Sequence, residues 1–223
     1  MAWKMIYLAK RNPALAPEQF SQAWREHSAL GAGCTNVRDK VLGVMQCSRV
    51  LGHPTPEGCS TDYDGVNLLL LKNREAADDI WSDPETLAIM RPDEPRVFST
   101  YVRHFTLVCE EQVMVDVPRG RCMVAGFLKR ASSTTEPAWA RAAQGARSVP
   151  PGVGRCVWNR VAAAPPPGYD YDAIVEWWFE SPEAACRALS AQGLQALLPL
   201  DVAKAIELPA CVFVFTQVTH HRP

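Results

Sequence analysis

The chain repeats itself, and this constrains its fold more than any other feature of the sequence. The run Met5-Ile6-Tyr7-Leu8-Ala9-Lys10-Arg11 returns past the midpoint as Val124-Ala125-Gly126-Phe127-Leu128-Lys129-Arg130. Asp62-Tyr63-Asp64-Gly65-Val66 returns as Asp170-Tyr171-Asp172-Ala173-Ile174. An apolar strand follows each echo, Asn67 to Leu71 and Val175 to Phe179, and a helix start follows each strand. Those starts are Arg74-Glu75-Ala76-Ala77 and Pro182-Glu183-Ala184-Ala185. Each half closes on a late strand, Tyr101 to Glu110 and Ala210 to Val218.

Each half therefore reads strand, helix, strand, strand, helix, strand. In the first half the helices are predicted over Pro17 to Leu30 and Arg74 to Met90, with Gly31 and Gly33 ending the first and Pro84 breaking the second. The strands are predicted over Lys4 to Lys10, Val41 to Leu51, Asn67 to Leu71 and Thr100 to Cys109. In the second half a helix is expected over Glu136 to Arg147 and strands over Arg121 to Lys129 and Gly154 to Ala163. This order is the split βαβ, ferredoxin-like unit. Two helices cover one face of its four-stranded sheet, and the other, apolar face needs a partner. The predicted fold is α+β, with two fused ferredoxin-like βαββαβ halves forming a pseudo-dimeric α+β barrel. The halves are residues 1–114 and 119–223, with residues 115–118 as the join.

Composition excludes several classes of function. A net charge of −1 with no basic block argues against a nucleic-acid surface. No stretch reaches the roughly 20 apolar residues that span a bilayer. The start of the chain lacks a signal peptide's long apolar centre, so a cytoplasmic location is expected. None of the eight cysteines forms a C-x-x-C pair, which fits reduced, mostly buried thiols rather than a zinc or redox motif.

The opening Met5 to Pro13, then Ala16-Pro17-Glu18-Gln19-Phe20 and Trp24-Arg25-Glu26-His27-Ser28-Ala29, resembles the EthD family of the dimeric α+β barrel group. The two Asp-Tyr-Asp entries resemble that family's third strand, and Asp170 to Pro182 is the more typical of them. The resemblance implies kinship with methylmuconolactone isomerases, small polyketide cyclases and quinone-forming monooxygenases. It implies a small hydrophobic substrate, aromatic or lactone-like, and no metal or organic cofactor.

His27 is the leading candidate for catalysis. Phe20, Trp24 and His27 share one helical face, and an imidazole near a cleft can act as general acid or base. The resemblance places a pocket histidine at this helix end; the plainer alternative is a histidine stabilising the helix C-terminus. In the second half Trp139, Ala143 and Ala146 stand opposite Phe20, Trp24 and His27. Tyr7 on the first strand could donate to a substrate oxygen or simply fill the core. His53, in a Gly- and Pro-rich loop, is a second candidate by the resemblance, which also places a thiol in the third strand where Leu69 and Trp177 stand here. That absence departs from the isomerases. Glu176 interrupts an apolar strand, so it must face water, pair, or sit protonated in a pocket. Trp177 and Trp178 point to opposite faces, and one could line a cavity.

The Asp62/Asp64 and Asp170/Asp172 pairs have no further ligand at metal spacing and are expected to bond turn backbone. His104 interrupts the fourth strand, and His220 and His221 are expected in a mobile tail. The leading functional expectation is a cofactor-independent isomerase, lyase or cyclase using His27. The alternatives are a cofactor-free oxygenase on a phenol, a non-catalytic binding protein, or a haem-binding variant with an axial histidine. The chain is expected as a monomeric pseudo-dimer or a homodimer.

Overall fold

A computed structural model describes residues 2–190 and 193–223. Eight antiparallel strands close into a barrel in the order β1-β3-β2-β8-β5-β7-β6-β4. They are β1 (Ala2–Ala9), β2 (Val41–Arg49), β3 (Gly65–Leu71), β4 (Thr106–Val115), β5 (Cys122–Leu128), β6 (Arg155–Val161), β7 (Ala173–Phe179) and β8 (Val212–Arg222). Each half contributes four strands in the order fourth, first, third, second. The β2–β8 and β4–β6 pairings join the two sheets, so one chain closes the barrel and leaves no sheet edge to cover.

The helices pack outside. They are α1 (Pro17–Gly33), α2 (Thr35–Lys40), α3 (Glu75–Ser82), α4 (Pro84–Ile89), α5 (Glu94–Val97), α6 (Glu136–Gly145), α7 (Pro182–Leu189) and α8 (Leu200–Ala205). Strand alternation divides the apolar side chains accordingly. Ile6, Leu8, Leu68, Phe127, Trp178 and Val214 fill the barrel. Met5, Tyr7 and Ala9 face the helices of the first half. Phe20, Ala23, Trp24, His27 and Gly31 form the buried stripe of α1. Gln19 fixes the start of that helix by accepting from the Ala16 N–H at 2.8 Å.

The two halves repeat in their polar details. Arg11 and Arg130 each donate a backbone N–H to an aspartate, Asp64 at 3.0 Å and Asp172 at 2.8 Å. Their guanidinium Nε atoms each bond a carbonyl four residues on, Leu15 at 2.8 Å and Thr134 at 2.9 Å. Asp64 and Asp172 thus hold backbone and basic side chains. Among the described residues no cluster of three or more His, Cys, Asp or Glu is placed to hold a metal.

Several boundaries differ from those predicted. Gly31 does not end α1. Its lack of a side chain admits Met90, whose sulfur would lie 2.9 Å from an added Cβ. Residues 100 to 105 are not strand: Val102–Phe105 is a 3-10 turn, and the Thr106 hydroxyl closes it by donating to the Val102 carbonyl at 2.7 Å. His104 therefore lies in a turn before β4. His220 and His221 are no loose tail; they pair with Gln46 and Met45 as part of β8. The predicted break at Pro84 divides α3 from α4, and Asp83 caps α4 by accepting from Thr86 N–H at 2.8 Å. No helix among the described residues is long and apolar enough to cross a membrane.

Candidate active site

A cavity of about 90 Å³ lies between the first-half sheet and its helices. Three strands make its floor. Tyr7, Asn67 and Gln46 stand in one row across β1, β3 and β2, because Tyr7 pairs with Asn67 and Asn67 with Gln46. His27 of α1 stands at its wall, with Trp81 and Met90 above.

His27 is 3% exposed and its Nδ1 lies 2.9 Å from the Asp93 carboxylate. Its ring meets Phe98 edge-on at 5.4 Å. Burial lowers the imidazole's pKa, against the hydrogen bond and charge of Asp93, which raise it. His27 is therefore neutral at neutral pH. An ionised Asp93 fixes the proton on Nδ1 and leaves the Nε2 lone pair for a ligand. Asp93 is itself secured. Hydrogen bonds from Arg96, at 2.7 Å and 3.1 Å, hold its carboxyl below the usual range against its partial burial. Arg96 in turn reaches Glu26 at 3.1 Å, so a chain of charge runs from the surface to the imidazole.

Tyr7 is buried, and its oxygen accepts from the Trp24 indole N–H at 3.0 Å. Burial pushes its pKa up, so the phenol keeps its proton and can donate it. Trp24 stacks on Phe20 with ring centroids 5.0 Å apart, and so supports the site from beneath. Glu94, 6% exposed, also lines the cavity. Burial pushes its carboxyl up, although the Val102 N–H donates to it at 3.0 Å.

Of the residues singled out from the sequence, Tyr7 and His27 line this cavity, while Trp24 does not and instead backs Tyr7 through its indole N–H. The other three do not join them. His53 faces Glu183 at 3.1 Å in an open groove beside α7. Trp177 packs in the second-half core against Phe213, with rings 6.3 Å apart. Glu176 lies inside the barrel. Its carboxylate meets the Lys4 ammonium at 2.6 Å, the Asn159 amide at 2.9 Å and the Trp178 indole N–H at 2.9 Å. Those contacts use three of its four lone pairs, and it borders a hollow of about 360 Å³ at the barrel mouth.

The second half has no equivalent floor. Barrel register sets Gly126 opposite Tyr7, Val175 opposite Asn67 and Trp158 opposite Gln46. Trp177 and Phe213 close over Gly126, where an added Cβ would lie 2.8 Å and 2.9 Å from their rings. Trp158 packs on Trp139 at 5.3 Å. Aromatic bulk thus fills the second half where the first keeps polar groups and a hollow. A 90 Å³ space also leaves no room for a haem macrocycle beside His27.

Residues 12–100 match the family model described as EthD domain. That match spans less than half of the chain. A solved structure described as an anthrone oxidase-like protein superposes with a TM-score of 0.67 at 14% identity, covering 99% of this chain and 92% of that one. A putative monooxygenase from Lactobacillus acidophilus NCFM gives 0.53 at 8% identity, covering 99% of this chain and 94% of that one. A variant chlorite dismutase from Candidatus Nitrospira defluvii gives 0.54 at 11%, covering 97% and 90%. Identities this low establish a shared fold alone. No curated protein matches the sequence.

Proposed function

We propose that the EthD-like first half houses one active site per chain, in which His27 moves a proton on a small aromatic or lactone-like molecule without a cofactor. The observation that carries this reading is the His27–Asp93 pair, a neutral imidazole oriented by an ionised carboxylate at the edge of a cavity. A base so held takes a proton at Nε2 and returns it at another position, which is isomerase, lyase or cyclase chemistry. We read the two halves, residues 1–114 and 119–223 joined by 115–118, as fused ferredoxin-like copies. The matching Arg11–Asp64 and Arg130–Asp172 clamps support this. On this reading the chain is a monomeric pseudo-dimer or pairs through its outer surface, and works in the cytoplasm.

The test uses carbon acids. Small unsaturated lactones are incubated with the protein in D₂O, and loss of the carbon-bound proton is followed by NMR. The protein is expected to speed exchange, and His27→Gln to slow it by about 10²–10⁴-fold. Equal exchange by both proteins would end the proposal that His27 transfers the proton.

A second reading is a cofactor-free oxygenase. Structural neighbours described as a monooxygenase and an anthrone oxidase-like protein favour it, and the same base would convert a phenol to the electron-rich phenolate. Oxygen uptake with one-ring phenols, without proton exchange on the lactones, would select it. A non-catalytic binding role would leave ligand affinity with neither activity.

A further inference from the structure

The floor of the cavity contains two acceptors with nothing to accept. Gln46 and Asn67 are each 1% exposed, and Gln46 Oε1 and Asn67 Oδ1 are buried without a hydrogen-bond partner among the described residues. The orientation of the Gln46 amide is fixed, because its Nε2 donates to the Trp24 carbonyl at 3.1 Å. Turning the amide over would set two oxygens against each other, so Oε1 is the atom left over. A buried, unpaired acceptor weakens folding, because its bond to water is lost and not replaced. The strands do not need polar groups here, since the second half folds with Val175 and Trp158 at the corresponding places. The same row holds Tyr7, whose oxygen already accepts from Trp24 and whose hydrogen is free to be donated.

We propose that this floor selects a ligand by its hydroxyl or amino hydrogens: Asn67 Oδ1 and Gln46 Oε1 accept from one edge of the ligand, and Tyr7 donates to an oxygen on that edge. The proposal rests on the reading that the His27 cavity is the ligand site, and it adds the ligand's chemistry. A phenol or enol donates its one hydrogen to one of these acceptors and takes the Tyr7 hydrogen on the same oxygen, a second hydroxyl would serve the other acceptor, and the methyl ether can donate to neither. The size of the cavity restricts the ligand to a single ring or less. The Met90 side chain lines the space and, being flexible, supplies what extra room a ring requires.

The experiment titrates phenol, anisole and toluene into the full chain and into Asn67→Val, reading affinity by calorimetry and the His27 imidazole signals by NMR. Phenol is expected to bind the natural chain about tenfold more tightly than anisole or toluene. In Asn67→Val that preference is expected to shrink towards unity, with one ligand per chain in both proteins. Asn67→Val is expected to melt no lower than the natural chain, because it removes an unsatisfied acceptor; a lower melting point would mean that Asn67 is already bonded and would overturn the proposal. If all three ligands bind alike and shift His27 alike, selection by donor hydrogens fails while the cavity stands as a ligand site. If no ligand shifts His27, the cavity reading itself fails and takes the proposal with it.

Discussion

Lys4→Met is expected to lose about 3–5 kcal/mol of folding stability, the largest single loss at a charged position of this chain. Lys4 is 7% exposed, and its ammonium lies between Glu176 at 2.6 Å and Glu111. Removing it leaves a fully buried Glu176 carboxylate and a neighbouring Glu111 with no cation between them. Glu176→Leu is expected to cost less, because Lys4 keeps Glu111 and the Asn159 amide keeps its bond to the Ile174 carbonyl at 3.1 Å. The double variant is expected to recover most of the loss, since a packed apolar pair can replace a buried ion pair. For a chain of this size Lys4→Met should lower the melting temperature by roughly 10 °C.

The pH dependence should change sign between these proteins. Burial alone would raise the Glu176 pKa, yet Lys4 and the two N–H donors bring it below the ordinary value. In the natural chain this group adds stability at neutral pH and loses it as pH falls through the depressed folded value. In Lys4→Met burial acts without the cation, so the folded pKa rises above the unfolded one. Stability then falls as pH rises through that window, and mild acid rescues the variant. Denaturant melts of both proteins across acid to neutral pH check this. A Lys4→Met variant as stable as the natural chain at neutral pH would show that the cluster contributes little.

The barrel was legible because its signals are local and occur twice. Strand alternation around Tyr7, the Asp-Tyr-Asp turns and the Pro-led helices each specify a short element, and their repetition specifies the order. Boundaries failed where a local pattern had two solutions. Tyr101 to Phe105 alternates like a strand, but the Thr106 hydroxyl bonds back to Val102 and makes a turn. The site was legible only in part, because its contacts are long-range. Asp93 lies 66 residues beyond His27, in Arg91-Pro92-Asp93-Glu94-Pro95, a sequence with the composition of a loop. Lys4 meets Glu176 across 172 residues. Glu176 is a polar residue in an apolar strand, and Gln46 in Val41 to Cys47 and Asn67 in Val66 to Leu71 carry the same local signal.

Asp93→Asn should lower the rate of His27-dependent proton transfer by about 10²–10⁴-fold while leaving the barrel folded. The ionised carboxylate specifies which nitrogen of His27 carries the proton. An asparagine amide can donate to Nδ1 instead, which moves the proton to Nε2 and removes the lone pair that the proposed proton transfer uses. Arg96 also loses the charge that it bonds at 2.7 Å, but this lies near the surface, with the Asp93 side chain 19% exposed. Melting temperature should therefore fall far less than activity. The pH profile separates orientation from mere structural support. Burial already brings the His27 pKa below its ordinary value of 6.5, and Asp93 opposes that shift. The acid limb of the natural chain should lie below 6.5. Without the carboxylate the imidazole titrates lower still, so the acid limb of Asp93→Asn should move to lower pH as the plateau drops. An unshifted limb with an undiminished plateau would show that Asp93 does not orient the base, and His27 would then have to act without it.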